Sequence, residues 1–254
     1  MKKICFAGDL SFVEKSVSVM IKDKLTELLD EFPEDEFVFL FFKCCKLFSK
    51  QGLYVIDDLK KAYPKRKLMV VDIIDPLRVS SDQIDQKEQE KQDGFLPGSV
   101  DRFEFAPLIN GKSENDDRRF IAHQRKISRW LWGQCDYIFA YYYDSLPGPA
   151  KNMIKGVEKN RDLTVMHIYD IETENLIEHK ILTLTDDDRE MINAARNGEG
   201  YKKYAKKRNV SYQRARQCTM KVVSRIERQV KSELRDQKRC YSDWDFVKME
   251  WGNS

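Results

Sequence analysis

Five short, nearly unbroken apolar runs divide the first two thirds of the chain: Ile4–Ala7, Phe37–Phe42, Leu68–Ile74, Asp136–Tyr143 and Leu163–Tyr169. A strand with one face in water alternates apolar with polar positions, whereas an unbroken run suits a strand covered on both faces, as in a parallel sheet. The intervals between the runs carry helical spacing instead. Val17, Met20, Ile21, Leu25, Leu28 and Leu29 fall on one stripe, a second segment runs through Leu47, Phe48 and Leu59, and Arg118–Trp132 turns Ile121, Ile127, Trp130 and Leu131 to one side. Strands alternating with helices imply right-handed crossovers. The expected class is α/β, a Rossmann-like open parallel sheet with helices on both faces, over residues 1–180.

Residues 76–117 break this rhythm. Gln83–Lys91 is polar without an apolar stripe, whereas Phe95–Gly98 and Phe103–Ile109 are apolar and rich in turns, which suits either a lid over the ligand edge or an excursion packed on the surface. After Leu182 the pattern becomes wholly helical. Thr185 can cap a first helix with Asp188 at the capping-box position, a second covers Tyr201–Arg208, and after Asn209-Val210 a third starts from a Ser211 cap. Ala205 allows close helix approach, Val210 is placed to plug the turn, and Ala215, Thr219, Val222 and Ile226 give the third helix a buried stripe. The expectation is a small all-α helix-turn-helix domain over 183–240. Val230 and Leu234 extend that stripe, too briefly for a long coiled coil, and leave a homodimer contact open. The tail, 241–254, carries Tyr241, Trp244, Phe246 and Trp251 and is expected to dock on its own chain or a partner.

Charge sharpens the division. The net charge of the 254 residues is +3, but residues 185–240 carry 16 Lys/Arg against 8 Asp/Glu, a net +8, which leaves −5 for the rest. A basic terminal block suits nucleic acid or an anionic surface, and equally a solvated helical face. The six cysteines have no C-x-x-C or histidine spacing, so reduced thiols are expected, with no zinc, other metal or cofactor. With no apolar run of membrane-spanning length, and a start that leads straight into a strand, the expected location is the cytoplasm, with no membrane partner.

In open α/β sheets ligands bind outside the carboxyl ends of the strands. Two such ends stand out, Gly8-Asp9-Leu10-Ser11 and Asp144-Ser145-Leu146-Pro147-Gly148-Pro149, the latter opening a helix whose free N–H groups would attract phosphate. The order His123-Gln124-Arg125-Lys126, apolar strand, Leu146-Pro147-Gly148 resembles the H-x-R-K, strand, P-G-G-x-G-T-x-x-E arrangement of the Lonely-Guy-like phosphoribohydrolases, within the SLOG superfamily of Rossmann-like nucleotide-binding domains. That resemblance implies a nucleotide or nucleotide-derived ligand held by Gly8, Asp9, Ser11, Arg125, Lys126, Ser145, Pro147, Gly148 and Asn152. Pro149 and Lys151 stand for glycines of the motif, Asn152 for its threonine and Lys155 for its catalytic glutamate. It therefore implies binding, with no catalytic residue carried over. Hydrolysis would need another carboxylate, Asp144, Asp9 or Glu114, with Arg125 then part of the machinery.

Val210–Gln217 resembles the recognition helix of sigma-factor region four and LuxR-like helix-turn-helix domains. On that basis Tyr212, Gln213, Arg214, Arg216 and Gln217 would meet DNA, Arg reading guanine and Gln adenine, while Lys202, Lys203, Lys206 and Lys207 would contact phosphates. The combined expectation is a ligand-responsive DNA-binding regulator. A nucleoside monophosphate phosphoribohydrolase and an RNA-polymerase-associated interaction module are the alternatives.

Overall fold

The computed structural model describes residues 1–8, 10–42, 47–75, 100–107, 117–158, 163–196 and 200–241. The strands are β1 (Lys2–Gly8), β2 (Phe37–Phe42), β3 (Leu68–Ile74), β4 (Arg102–Phe105), β5 (Tyr137–Tyr141) and β6 (Thr164–His167). They form one six-stranded sheet in the order β4-β3-β2-β1-β5-β6, with every neighbouring pair parallel. The α/β, Rossmann-like class expected from the apolar runs is therefore the class observed. β4 is a strand that the pattern did not reveal, because its four residues sit at the sheet edge and are buried only in part. The rest of 76–117 up to Asp117, and with it the lid expectation, otherwise lies outside the described residues except for 100–107.

Four helices belong to the alternating part: α1 (Lys15–Glu31), α2 (Leu47–Ala62), α3 (Asp117–Trp132) and α4 (Pro149–Glu158). Side chains alternate across each strand, so the sheet has two buried faces. Ile4, Phe6, Phe37, Phe39, Phe41, Val70, Phe139 and Tyr141 join the apolar stripes of α1 and α2. Cys5, Ala7, Val38, Leu40, Val71, Ile138, Ala140 and Tyr142 pack with Ile127 and Leu131 of α3 and Ile154 of α4. At the centre of the first face the Phe6 ring stacks on Phe41 at 4.9 Å and on Phe139 at 5.3 Å between centroids. Gly52 of α2 is what lets the helix close onto that ring, since a Cβ there would lie 2.7 Å from Phe6.

The remaining helices are α5 (Ile171–Leu182), α6 (Asp186–Arg196), α7 (Gly200–Lys207) and α8 (Tyr212–Asp236). Helix α5 was not legible as an element, although its local signals are good. Asp170 accepts from the N–H groups of Glu172 and Thr173 at 3.0 Å each, and Thr173, Ile177 and Ile181 form its buried stripe. In α8 the Ser211 cap accepts from Arg214 N–H at 3.1 Å, and Thr185 accepts from Asp188 N–H at 3.3 Å at the start of α6. Val210 does not plug the turn before α8. It is 39% exposed, and the turn is closed instead by its N–H bonding to the Ala205 carbonyl at 3.0 Å, with Asn209 at φ 51°.

Leu184, Met191 and Ile192 of the α6 region, with Val222, Val223, Ile226, Val230 and Leu234 of α8, belong to the same cluster as the α1–α2 face of the sheet. Among the described residues these apolar groups are thus continuous with that face of the sheet. Past α8 the chain turns at Lys238 and runs antiparallel to the segment after β1. Lys15 N–H donates to Arg239 O at 2.8 Å, Tyr241 N–H to Val13 O at 3.2 Å, and Glu14 bridges Cys240. Tyr241 docks on its own chain, its hydroxyl 3.0 Å from Ser18 Oγ, and residues 242–254 lie outside the described set. Cys5, Cys135, Cys218 and Cys240 are free thiols, and Cys44 and Cys45 are likewise undescribed. No helix among the described residues is long and apolar enough to cross a membrane.

Candidate functional site

Strand order reverses between β1 and β5, which is where a doubly wound sheet offers a crevice at its carboxyl edge. Among the described residues, side chains of the chain itself pack against that edge. Gly8 ends β1 beside Tyr141, and the atoms nearest to where a Cβ would stand are Phe48 Cδ1 and the Tyr141 carbonyl, both at 3.1 Å, so a side chain at this position would be crowded. Asp9 lies outside the described residues. Ser11 donates its hydroxyl proton to Glu227 of α8 at 2.9 Å. Glu14 is 1% exposed and accepts from the hydroxyls of Tyr141 and Tyr143. Burial holds the Glu14 carboxyl above its ordinary range despite those two donors. The same burial, reinforced by the Glu14 carboxylate, pushes both phenols upward.

The turn after β5 is filled in the same manner. Ser145 is 2% exposed, its N–H donates to Glu174 of α5 at 2.9 Å, and its hydroxyl lies between Glu174 and Glu178, 2.7 Å from the latter. Arg196 of α6 pairs with Glu178 at 2.8 Å. Pro147 is buried, and Gly148 contributes its carbonyl to the Asn152 N–H at 3.2 Å. Asp144 meets Lys155 at 2.9 Å and Lys151 at 3.1 Å, and the Lys155 bond is the main cause holding its carboxyl below the usual range. Burial lowers the Lys151 ammonium. Of the three carboxylates that could replace the motif glutamate, Asp144 is thus engaged by two lysines, and Asp9 and Glu114 are undescribed.

An open cleft of about 770 Å³ lies nearby, between α3 and α4 on one side and α7 and α8 on the other. The first wall is Arg125 and Arg129, one turn apart on α3, with Asn152, Met153, Gly156 and Val157 of α4. The second is Tyr201 of α7 with Tyr212, Arg216 and Met220 of α8, the two phenol rings meeting edge to face at 5.7 Å. Among the described residues no carboxylate lines this cleft, and none of its three guanidiniums has a carboxylate partner. Four other arginines are paired with carboxylates: Arg189 with Asp186, Arg208 with Asp187, Arg225 with Asp188, Arg239 with Asp170. Three unneutralised guanidiniums in one concave site give a positive potential and forked donors that match a phosphate. The tyrosine rings add flat apolar surface for an aromatic base.

The cleft brings together Arg125 and Asn152 from the ligand set with Tyr212 and Arg216 from the DNA set. Gly8, Ser11, Ser145, Pro147 and Gly148 stand apart from it, and Lys126 is exposed on α3 outside its wall. Gln213, Arg216, Gln217, Lys221 and Arg228 line a second, open groove along the outer side of α8. Arg214 is exposed, as are Lys202, Lys203, Lys206 and Lys207, but Lys207 pairs with Glu190 at 2.5 Å, so the acidic first turns of α6 neutralise part of the basic surface.

Sequence reasoning missed Arg129, Tyr201 and Met220, and the internal carboxylates Glu174, Glu178 and Glu227. The i, i+4 spacing of Arg125 and Arg129 on a helix that has no acid after Asp117 was an available signal. For the carboxylates there was none, since each finds its hydroxyl across the fold. Compared with known protein families, curated proteins and solved structures, the chain matches none.

Proposed function

We propose that this chain is a regulator that binds a phosphorylated, nucleotide-like ligand in the cleft between α3–α4 and α7–α8. The carrying observation is that Arg125, Arg129 and Arg216 converge there with Tyr201 and Tyr212 and with no carboxylate among the described lining residues. The SLOG resemblance points to the same ligand class through Arg125, with Asn152 in the place of the motif threonine. Binding without rapid hydrolysis fits this wall, because glycosidic cleavage needs a carboxylate beside the sugar. Calorimetric titration of adenosine and guanosine monophosphate should give one-to-one binding. Arg125→Ala and Arg216→Ala should each weaken it roughly tenfold or more, as for loss of a charge-assisted hydrogen bond. No heat up to millimolar nucleotide, or isotherms indifferent to both changes, would remove the reading.

A second activity, DNA binding, is supported by the exposed stripe Gln213, Arg216, Gln217, Lys221 and Arg228 on α8, with Lys202, Lys203 and Lys206 on α7. Residues at this spacing share one helix face and can follow a groove and its phosphates. Affinity for duplex DNA should fall with salt, and Lys221→Ala should lower the logarithmic slope by about one. A salt-independent or absent interaction would assign this face to another role.

A further inference from the structure

Arg216 belongs to two surfaces at once. It lines the cleft beside Tyr201, whose phenol feels its charge, and it also lines the outer groove of α8 with Gln213, Gln217 and Lys221. Met220, one turn further along, is likewise common to both, so this ridge of α8 is the partition between them. Among the described residues Arg216 has no carboxylate that fixes it to either side. A guanidinium on a long stem can turn to one anion or the other, but its planar fork holds only one phosphate bidentately at a time.

We infer that ligand in the cleft and nucleic acid on the outer face of α8 antagonise each other, with Arg216 as the shared residue. This rests on the two binding readings above and adds their coupling. Lys221 and Arg228 line only the outer groove, so antagonism weakens nucleic-acid binding without abolishing it. Linkage requires the effect to be reciprocal: whatever factor the nucleotide imposes on DNA affinity, DNA imposes on nucleotide affinity.

The test uses the full chain, a short fluorescein-labelled duplex followed by anisotropy, and guanosine monophosphate, with potassium chloride matching ionic strength. Saturating nucleotide should raise the Kd for the duplex by about fivefold or more, and saturating duplex should raise the nucleotide Kd by the same factor. Arg216→Ala should weaken both ligands and bring the coupling factor close to one, whereas Lys221→Ala should weaken the duplex alone and keep the factor. Simultaneous binding with unchanged affinities, or coupling that survives Arg216→Ala, overturns the inference while leaving the cleft reading intact. Nucleotide binding with no duplex binding also overturns it alone. Failure of any nucleotide to bind removes the cleft reading and the inference together.

Discussion

The backbone N–H of Ser145 donates to Oε1 of Glu174 at 2.9 Å, so the turn after β5 holds a carboxylate of the chain itself. N–H groups at such helix-opening turns are ready anion sites, and α5 supplies the anion. Glu174→Ala would leave the N–H of a buried serine unpaired, which should cost about 1–3 kcal/mol in urea unfolding. Glu174→Gln, which keeps an acceptor, should lose less. Sulfate should raise the Tm of the alanine variant more than that of the parent, by entering the vacated turn. Equal melting of all three proteins with no sulfate response would show that the contact contributes nothing.

Two glycines in helices should respond oppositely to alanine. At Gly156 an added Cβ meets nothing within 4 Å, so Gly156→Ala should stabilise by about 0.4–1 kcal/mol through the unfolded chain, and Gly156→Leu should project into the cleft and weaken nucleotide binding. At Gly52 the same Cβ lies 2.7 Å from a Phe6 ring held between Phe41 and Phe139, so Gly52→Ala should destabilise by about 1–3 kcal/mol. Thermal denaturation of both variants checks the signs, and a gain at Gly52 would mean that the ring yields.

A fragment ending after Leu182 should not melt cooperatively. The apolar groups of α6 and α8 lie in the core of the α1–α2 face, and Glu14 and Val13 lose their partners on Cys240 and Tyr241 when the end is removed. Calorimetry and near-ultraviolet circular dichroism of residues 1–182 decide the matter. A sharp, reversible transition would establish an autonomous α/β unit instead.

Glu14 should make stability fall with rising pH. Its carboxyl is raised by burial, so the folded chain binds that proton more tightly than the unfolded chain does. The contribution is full below the ordinary carboxylate value, declines as pH climbs from there through the raised folded value, and stays lost above it. Glu14→Gln is neutral throughout, so its stability relative to the parent should increase across that window. Urea titrations at a series of pH values supply the curve, and parallel profiles for the two proteins would count against the buried carboxyl as the cause.

The periodicity of apolar positions settled much that is local. Phe37–Phe42 is a strand buried on both faces because no polar residue interrupts it, Leu68–Ile74 is one with Asp72 as its single polar residue, and Ser211 caps α8 through a bond to Arg214 only three residues away. The α/β class followed from those elements, and Arg125 was singled out before any geometry. What lines the cleft with Arg125 was not legible. An apolar stripe such as Ala215, Thr219, Val222 and Ile226 states that one face of α8 is buried, yet the same stripe would serve a free-standing bundle or an unfinished sheet. Only the tertiary structure shows that Val222 and Ile226 of this stripe join the core of the α1–α2 face. The closed chain puts Glu174 on Ser145 and Glu227 on Ser11 and brings Arg216 to the cleft that Arg125 lines. Hydrophobic burial is non-directional and fixes that a surface must be covered. Which segment covers it, and which charged groups are carried along, depends on contacts between residues far apart in the chain, and these exist only once the whole chain has closed.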